Sequence, residues 1–306
     1  HQYRYIHRMD GNNNNLVVLI FGSTGWMGGK LTKLMEAQSI KVIAAKSRLE
    51  NRQDVESEIQ TVKPNRIFNC AGLTGRPNID WCEEHKPETI RANVIGHLNL
   101  MDLSHQYNVH LTTFATGCLY QYDETHPEGS CSPGFSETDA FNYTGSFYSR
   151  TKGIVEELSK SYNNILTLRV RLPISDDVSE DRNLVKKLIG YQRVINVKNS
   201  VSVLHDLLPV ALDMSRRALL GVYNFVNPGV ISHNELLDLY REHVDPNFTY
   251  HNFSLVEQAK VLKAGRCNCE LDTSKLLSLY PDIPPISKSI VNVFQRMRQI
   301  QQQRQQ

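Results

Sequence analysis

Val17-Val18-Leu19-Ile20-Phe21-Gly22-Ser23-Thr24-Gly25-Trp26-Met27-Gly28-Gly29 decides how the rest of the chain is read. An apolar, partly β-branched run stops at a glycine-punctuated turn. Leu31, Leu34 and Met35 then follow at helical spacing. Apolar strand, glycine turn and helix together have the form of a dinucleotide-binding βαβ unit. Gly22 permits a tight turn, Gly25 lets the backbone approach a pyrophosphate, and Gly28 lets the helix lie close to the strand. The unsatisfied N–H groups at the helix start face the phosphates. Gly22, Ser23, Thr24, Gly25, Trp26, Met27 and Gly28 are therefore the candidate cofactor cradle.

Outward from this unit the alternation continues. Lys41–Ala45 reads as a second strand ending at Lys46-Ser47-Arg48. A site that prefers NAD carries an acid about 20 residues past the glycines, to hold the ribose 2′-hydroxyl. This chain has Lys46 and Arg48 there instead, which favours a 2′-phosphate and hence NADP, with Ser47 and Arg48 as the contacts. A helix is expected over 54–62, a third strand over 66–69, a long helix over 87–107, a fourth strand over 110–116, a helix over 147–161 and a fifth strand over 165–171 that Pro173 ends. In the long helix Ile90, Val94, Leu98 and Met101 recur every three or four residues, and Asn93 reads as a structural hydrogen-bond bridge. Five alternations of strand and helix predict a Rossmann-like, doubly wound parallel sheet.

Beyond Pro173 short strands (193–197 and 222–226) alternate with helices, and little glycine signal remains. The expected division is an unstructured 1–15, a dinucleotide-binding domain over 16–172, a mainly substrate-binding lobe with returning elements over 173–294, and a frayed, glutamine-rich tail over 295–306.

With 306 residues, 40% of them hydrophobic, the chain can bury a sizeable core. A net charge of +2 implies neither a nucleic-acid nor a membrane-surface partner. Residues 16–21 are too short for a membrane span or a signal-peptide core. Cysteines 70, 82, 118, 131, 267 and 269 lack metal-site spacing, so no metal is expected, and a reduced, cytoplasmic protein fits best.

Tyr148 and Lys152 are the strongest catalytic signal. On a helix, i and i+4 share a face, about 5–6 Å apart. An ammonium beside a phenol stabilises the phenolate and makes tyrosine a usable acid or base nearer neutral pH. The same lysine can hold a cofactor ribose. Thr116, ending the fourth strand, can bind a substrate carbonyl oxygen beside Tyr148. In extended chain Thr116 and Cys118 project to the same side. A thiolate there would suit removal of a carbon-bound proton next to a ketone. From spacing alone, a buried small apolar role for Cys118 is the commoner outcome.

The glycine spacing, Gly-x-x-Gly-x-x-Gly, is typical of the short-chain dehydrogenase/reductase superfamily, and Asn69-Cys70-Ala71-Gly72 resembles its Asn-x-Ala-Gly turn beside the adenine ribose. More specifically, the chain resembles the bifunctional UDP-4-keto-6-deoxyglucose 3,5-epimerase/4-reductase family that makes UDP-L-rhamnose. The resemblance rests on Thr24-Gly25-Trp26-Met27-Gly28-Gly29, Ser47–Arg52, Thr74-Gly75-Arg76-Pro77-Asn78-Ile79-Asp80-Trp81-Cys82-Glu83, Ala115–Cys118, Thr144–Ser149, Leu168–Ser175 and Tyr223–Val230. It runs from about Leu16 to about Val293.

The resemblance implies two reactions in one pocket, on UDP-4-keto-6-deoxyglucose. Cys118 matches the family's epimerisation cysteine. Its lysine partner falls on Lys187, with Lys186 the one-residue alternative. Thr116 and Tyr148 would hold the enolate oxygen; Tyr148 and Lys152 then serve reduction of the 4-ketone by NADPH, with NADH a weaker donor. Asn69, Ala71, Gly72 and Pro173 join the implied cofactor contacts. Thr74, Arg76, Asn78, Gly117 and Asn183 join Thr116 and Cys118 as implied substrate contacts. The dehydratase domain that some relatives carry is not expected in this chain, so a separate UDP-glucose 4,6-dehydratase would supply the keto-sugar. A homodimer through the two long helices is the superfamily expectation. Competing readings are a reductase lacking epimerase activity and a silent NADP-binding regulatory subunit. The combination of Thr116, Cys118, Tyr148 and Lys152 opposes both.

Overall fold

The computed structural model describes residues 15–129, 133–254, 256–257, 260 and 267–304. The expectation for 1–14, the end of the tail at 305–306 and the position of Cys131 lie outside the described residues.

The chain forms two compact units. The first holds residues up to Leu119, Tyr143–Arg169 and Leu208–Tyr223; the second holds Tyr120–Asn142, Val170–Leu207 and Asn224 onward. The chain passes between them several times, so a single cut at 172/173 does not describe it.

A six-stranded sheet organises the first unit, in the order β2-β1-β3-β4-β5-β8. Its strands are β1 Val17–Phe21, β2 Lys41–Ala44, β3 Arg66–Asn69, β4 His110–Thr116, β5 Ile165–Val170 and β8 Gly221–Asn224. The neighbours β2–β1, β1–β3 and β3–β4 are parallel. Strand order reverses between β1 and β3, because β2 lies on one side of β1 and β3 on the other. Ligands of such sheets bind at the carboxyl ends of the strands at this reversal. Gly22 follows β1 directly and pairs with no strand, so it sits at that point.

The helices of this unit are α1 Trp26–Ala37, α2 Arg52–Val62, α3 Trp81–Glu84, α4 Lys86–Ile90, α5 Gly96–Gln106 and α6 Phe147–Ser159. Helix α1 buries Gly28, Leu31 and Met35, as its spacing predicts. Asn51 caps α2 through its side chain, and Lys63 closes it in the left-handed conformation before Pro64. One core gathers Leu19 and Phe21 of β1, Val55 and Ile59 of α2, Leu100 and Leu103 of α5 and Val155 of α6. The long helix expected over 87–107 contains a π-helical turn, Arg91–Ile95, between α4 and α5. A π turn adds a residue and rotates the face that follows it. The apolar stripe read from the sequence is therefore interrupted, and Ile90 and Ile95 stand at the surface, 39% and 48% exposed.

The second unit contains α7 Leu184–Gly190, β6 Arg193–Val194, β7 Lys198–Asn199, β9 Ile231–Ser232, α9 His233–His243, β10 His251–Asn252, α10 Ser274–Leu279 and α11 Ile286–Arg304; α8, Leu204–Arg216, begins in it and ends in the first unit. The strands expected at 193–197 and 222–226 are shorter than read. Ser232 and Glu235 form a reciprocal capping box that starts α9. Val185, Leu188, Leu236, Leu237, Ile290 and Phe294 share its core. The expected fraying from 295 is not observed through Arg304, where α11 continues. Ile290, Val293, Phe294 and Met297 anchor one face of it, and glutamine and arginine, favourable helix formers, extend it.

Candidate active site

The glycine turn is shaped as its spacing requires. Gly22 has φ +78°, and a Cβ there would lie 2.6 Å from backbone atoms of Cys70 and Ala71. A Cβ on Gly28 would lie 2.1 Å from the Gly22 carbonyl oxygen. Any side chain at either position would force the turn apart. Gly25 differs: its Cβ would meet protein only at the Gly22 oxygen, 3.3 Å away, so the constraint on it faces outward. Gly25 starts α1 in extended conformation, no side chain caps the helix, and its first turn holds no acid. That uncapped, positive helix end suits a pyrophosphate.

The second wall is the turn after β3. Asn69 is buried; its Oδ1 accepts from the Ala71 N–H at 3.1 Å and its Nδ2 donates to Thr113 Oγ1 at 3.3 Å. It shapes the turn from beneath, and Ala71 and Gly72 form the turn's surface. Two side chains four residues apart hold the same turn from the neighbouring helix. Asn93 binds Leu73, and His97 Nε2 lies 3.1 Å from the Ala71 carbonyl oxygen. Asn93 is thus the structural bridge its sequence context suggested. His97 was missed, although its i+4 spacing from Asn93 is a signal that could have found it. Burial, with the Lys152 charge second, holds His97 well below the ordinary imidazole range, so it is neutral and donates from Nε2.

Helix α6 carries Tyr148 and Lys152. Ser146 caps it by accepting from the Ser149 N–H, and Glu83 accepts from the Phe147 N–H at 2.7 Å. These fix the first turn, where Tyr148 is half-buried. One turn on, the Lys152 ammonium lies 5.8 Å from the centre of the Tyr148 ring. Lys152 is 8% exposed, and burial pushes its pKa down to about 8, with the nearby Cys82 thiol acting in the other direction. A Cβ built on Gly72 would stand 3.6 Å from its Nζ, so the lysine borders the turn after β3. A further turn along α6, Glu156 forms a buried ion pair with Arg169 of β5, through Nε at 3.0 Å and Nη2 at 2.5 Å. Sequence reading missed this pair, which ties α6 to the sheet.

Thr116 ends β4, onto which α6 packs. The extended geometry expected between Thr116 and Cys118 is not found. The chain turns at Gly117, and Thr116 Oγ1 accepts from the Cys118 N–H at 3.0 Å. A threonine hydroxyl closes such a turn locally once the strand ends. Cys118 is half-buried rather than buried, unlike Cys82, whose thiol burial raises above its ordinary value.

Between β3 and α3, Thr74 is half-buried, Arg76 is exposed, and Asn78 Oδ1 accepts from the Asp80 N–H at 2.8 Å in an Asx turn. In the second unit, Pro173 follows Leu172, whose φ of +40° is strained for a branched residue. Asn183 is fully buried. Its Oδ1 accepts from the N–H groups of Ser175 and Val185, and its Nδ2 donates to the carbonyls of Ser175 and Asp177. Both donors and both acceptor lone pairs are committed, so the expected substrate contact is corrected: Asn183 shapes the start of α7. Lys186 on that helix donates to Asp181 at 2.6 Å and to the Ser179 carbonyl at 3.0 Å. Lys187 is half-buried beside it.

A parallel sheet with a glycine turn and an uncapped helix start at the strand reversal, and a Tyr148–Lys152 pair on an adjacent helix, define a nucleotide-dependent oxidoreductase fold of the short-chain type. The chain belongs to the NAD dependent epimerase/dehydratase family, whose description matches residues 18–207. A bifunctional dTDP-4-dehydrorhamnose 3,5-epimerase/dTDP-4-dehydrorhamnose reductase of Arabidopsis thaliana is 51% identical over 273 residues, which cover 89% of this chain and 90% of that protein. A trifunctional UDP-glucose 4,6-dehydratase/UDP-4-keto-6-deoxy-D-glucose 3,5-epimerase/UDP-4-keto-L-rhamnose-reductase of the same plant is also 51% identical, but this chain spans only 41% of its length. Among solved structures, a UDP-rhamnose synthase of Acanthamoeba polyphaga mimivirus superposes with a TM-score of 0.88 at 38% identity, covering 92% of this chain and 99% of that one.

Proposed function

We propose that this chain converts UDP-4-keto-6-deoxyglucose to UDP-β-L-rhamnose, by epimerisation at carbons 3 and 5 followed by reduction of the 4-ketone with NADPH. One observation carries the reading: the Tyr148–Lys152 pair and a half-buried cysteine, Cys118, occur in the same compact unit, with Thr116 binding the Cys118 backbone. The relatives' names support it, at 51% identity over nearly the whole chain.

The residues present fit a dinucleotide. The uncapped start of α1 receives the pyrophosphate, with Ser23, Thr24, Trp26 and Met27 around it. Ala71 and Gly72 border the adenosine, Lys152 meets the nicotinamide ribose, and Pro173 flanks the nicotinamide. When bound, the nicotinamide supplies a hydride to carbon 4. The side chains of Lys46 and Arg48 favour NADPH, with NADH the weaker donor.

The sugar ketone acidifies the protons on carbons 3 and 5. Cys118 removes a proton as thiolate, and Lys187 returns one on the opposite face. Lys186, held on Asp181, is the weaker candidate for that task. Thr116 and Tyr148 donate hydrogen bonds to the enolate oxygen where charge develops, which is commonly the largest catalytic term. In the reduction Tyr148 gives its phenolic proton to the carbon-4 oxygen, and the Lys152 charge stabilises the phenolate left behind. Thr74, Arg76, Asn78 and Gly117 line the sugar nucleotide. A UDP-glucose 4,6-dehydratase supplies the substrate.

A homodimer completes the proposal. Ile95 on the π turn and Ile154 and Leu158 on α6 are 48%, 56% and 47% exposed, apolar side chains suited to a second copy. No described helix is long and apolar enough to cross a membrane. Cytoplasmic placement is our reading from the cysteines, none of which is disulfide-bonded among the described residues.

Incubation with UDP-4-keto-6-deoxyglucose and NADPH in deuterated water tests the proposal. UDP-rhamnose labelled at carbons 3 and 5 is the expected product. Cys118→Ala should abolish the labelling and still reduce a pre-epimerised sugar; labelling that survives removes the thiol from the mechanism. Tyr148→Phe should lower reduction by about a hundredfold or more.

A further inference from the structure

The turn after β2 holds an acid that the sequence spacing conceals. Glu58 lies in the second half of α2, and its carboxylate reaches back to this turn. Its Oε1 accepts from the Lys46 N–H at 2.7 Å. Its Oε2 accepts from the Ser47 N–H at 3.1 Å and from the Ser47 hydroxyl at 2.5 Å. Two successive backbone N–H groups and a hydroxyl converging on one anion make an anion nest. The nest lies at the carboxyl end of β2, which pairs with β1 beside the glycine turn, and Ala45 continues that pairing to Ile20. This is the position from which such folds address the ribose 2′ substituent.

Resting on the cofactor reading above, we infer that Glu58 is the residue that sets discrimination between NADPH and NADH: its carboxylate occupies the anion nest of the Lys46–Ser47 turn that a 2′-phosphate would otherwise take. Three consequences follow from the bonding. The Ser47 proton is committed to Glu58, so toward a ligand Ser47 presents only an acceptor, which suits a 2′-hydroxyl. On this turn a 2′-phosphate can call on the side chains of Lys46 and Arg48, and both residues are exposed. It also meets a fixed negative charge. The two cations and the carboxylate oppose each other, and the site admits both dinucleotides.

The test compares adenosine 2′,5′-bisphosphate with 5′-AMP as ligands of the full chain, by calorimetry, beside fluorescence titration with NADPH and NADH. The wild type should bind both dinucleotides. Glu58→Gln removes the charge and keeps the shape, and should tighten the bisphosphate about tenfold relative to 5′-AMP, the size expected of one carboxylate several ångströms from a phosphate at a partly exposed site. Glu58→Asp keeps the charge and should hold the ratio near the wild-type value. An unchanged ratio in Glu58→Gln, a shift toward 5′-AMP, or an equal shift in both variants overturns the inference, since shape rather than charge would then govern the turn. A wild type that binds neither dinucleotide refutes the cofactor reading itself, and this inference with it.

Discussion

Asn93 holds Leu73 by both of its backbone polar groups: Oδ1 accepts from the Leu73 N–H at 2.8 Å, and Nδ2 donates to the Leu73 carbonyl at 2.7 Å. The residue sits in the π turn, which offsets the helix so that this side chain meets the turn after β3. Leu73 begins the segment that carries Thr74, Arg76 and Asn78. Asn93→Ala leaves a partly buried donor and acceptor unpaired and should cost about 1–3 kcal/mol of stability in urea denaturation. It should also raise KM for the keto-sugar more than it lowers kcat. A KM at the wild-type value would separate Leu73 from the substrate contacts proposed for that segment.

Lys152 makes stability depend on pH in a defined direction. Burial lowers its pKa from the ordinary 10.5 to about 8. Between those values the unfolded chain binds the proton and the folded chain does not, so this group adds stability as pH rises. Below about pH 8 both states hold the proton, and the cost of burying the charge is present in full. Lys152→Met is never charged. The wild type should therefore gain on this variant between pH 8 and pH 10.5, by up to about 3 kcal/mol. Chemical denaturation of both proteins across that range is the measurement; a pH-independent difference would show that the ammonium is well solvated.

The glycines separate folding from binding. Gly28→Ala places a methyl group 2.1 Å from the Gly22 carbonyl oxygen. Helix and turn must part, and a loss of thermal stability is expected together with a loss of dinucleotide affinity. Gly25→Ala meets protein only at 3.3 Å. Its melting temperature should stay close to that of the wild type, while NADPH titration shows affinity reduced about tenfold or more, the value of roughly 1.4 kcal/mol of lost approach. Equal melting losses in the two variants would place the Gly25 constraint inside the fold.

The local geometry of the candidate site was legible in the sequence. Gly22, Gly25 and Gly28, the Tyr148–Lys152 spacing and the strand–helix alternation all express local geometry, and the sheet carries them as read. What escaped was contact across the chain. Glu58 reaches the Lys46–Ser47 turn from the far half of α2, so no spacing rule for an acid after β2 could detect it. Asn183 is a polar residue in a family-like segment, and only the four bonds made by its amide reveal that nothing is left for a ligand. The extended geometry assumed for Thr116 and Cys118 failed because β4 ends at Thr116, and strand periodicity ends with it. The glutamine-rich end read as frayed because its polar residues hide the face on which Ile290, Phe294 and Met297 are buried.

Glu156 and Arg169 set the last prediction. Both are buried, at 3% and 0% exposure, and the pair joins α6 to β5 one helical turn beyond Lys152. Charges so far from water depend on their counter-charge, so removing one partner takes the ion pair from the other. Glu156→Gln should cost about 3–5 kcal/mol. The double change Glu156→Leu with Arg169→Met removes both charges and should recover most of that loss, because an apolar pair of similar volume avoids the desolvation penalty. Urea denaturation of the single and double variants reads the coupling directly. NADPH titration of the recovered double variant adds a second reading. If the pair also positions the helix that carries Lys152, affinity should remain below wild type although stability has returned. Full recovery of both would confine the pair to holding the fold.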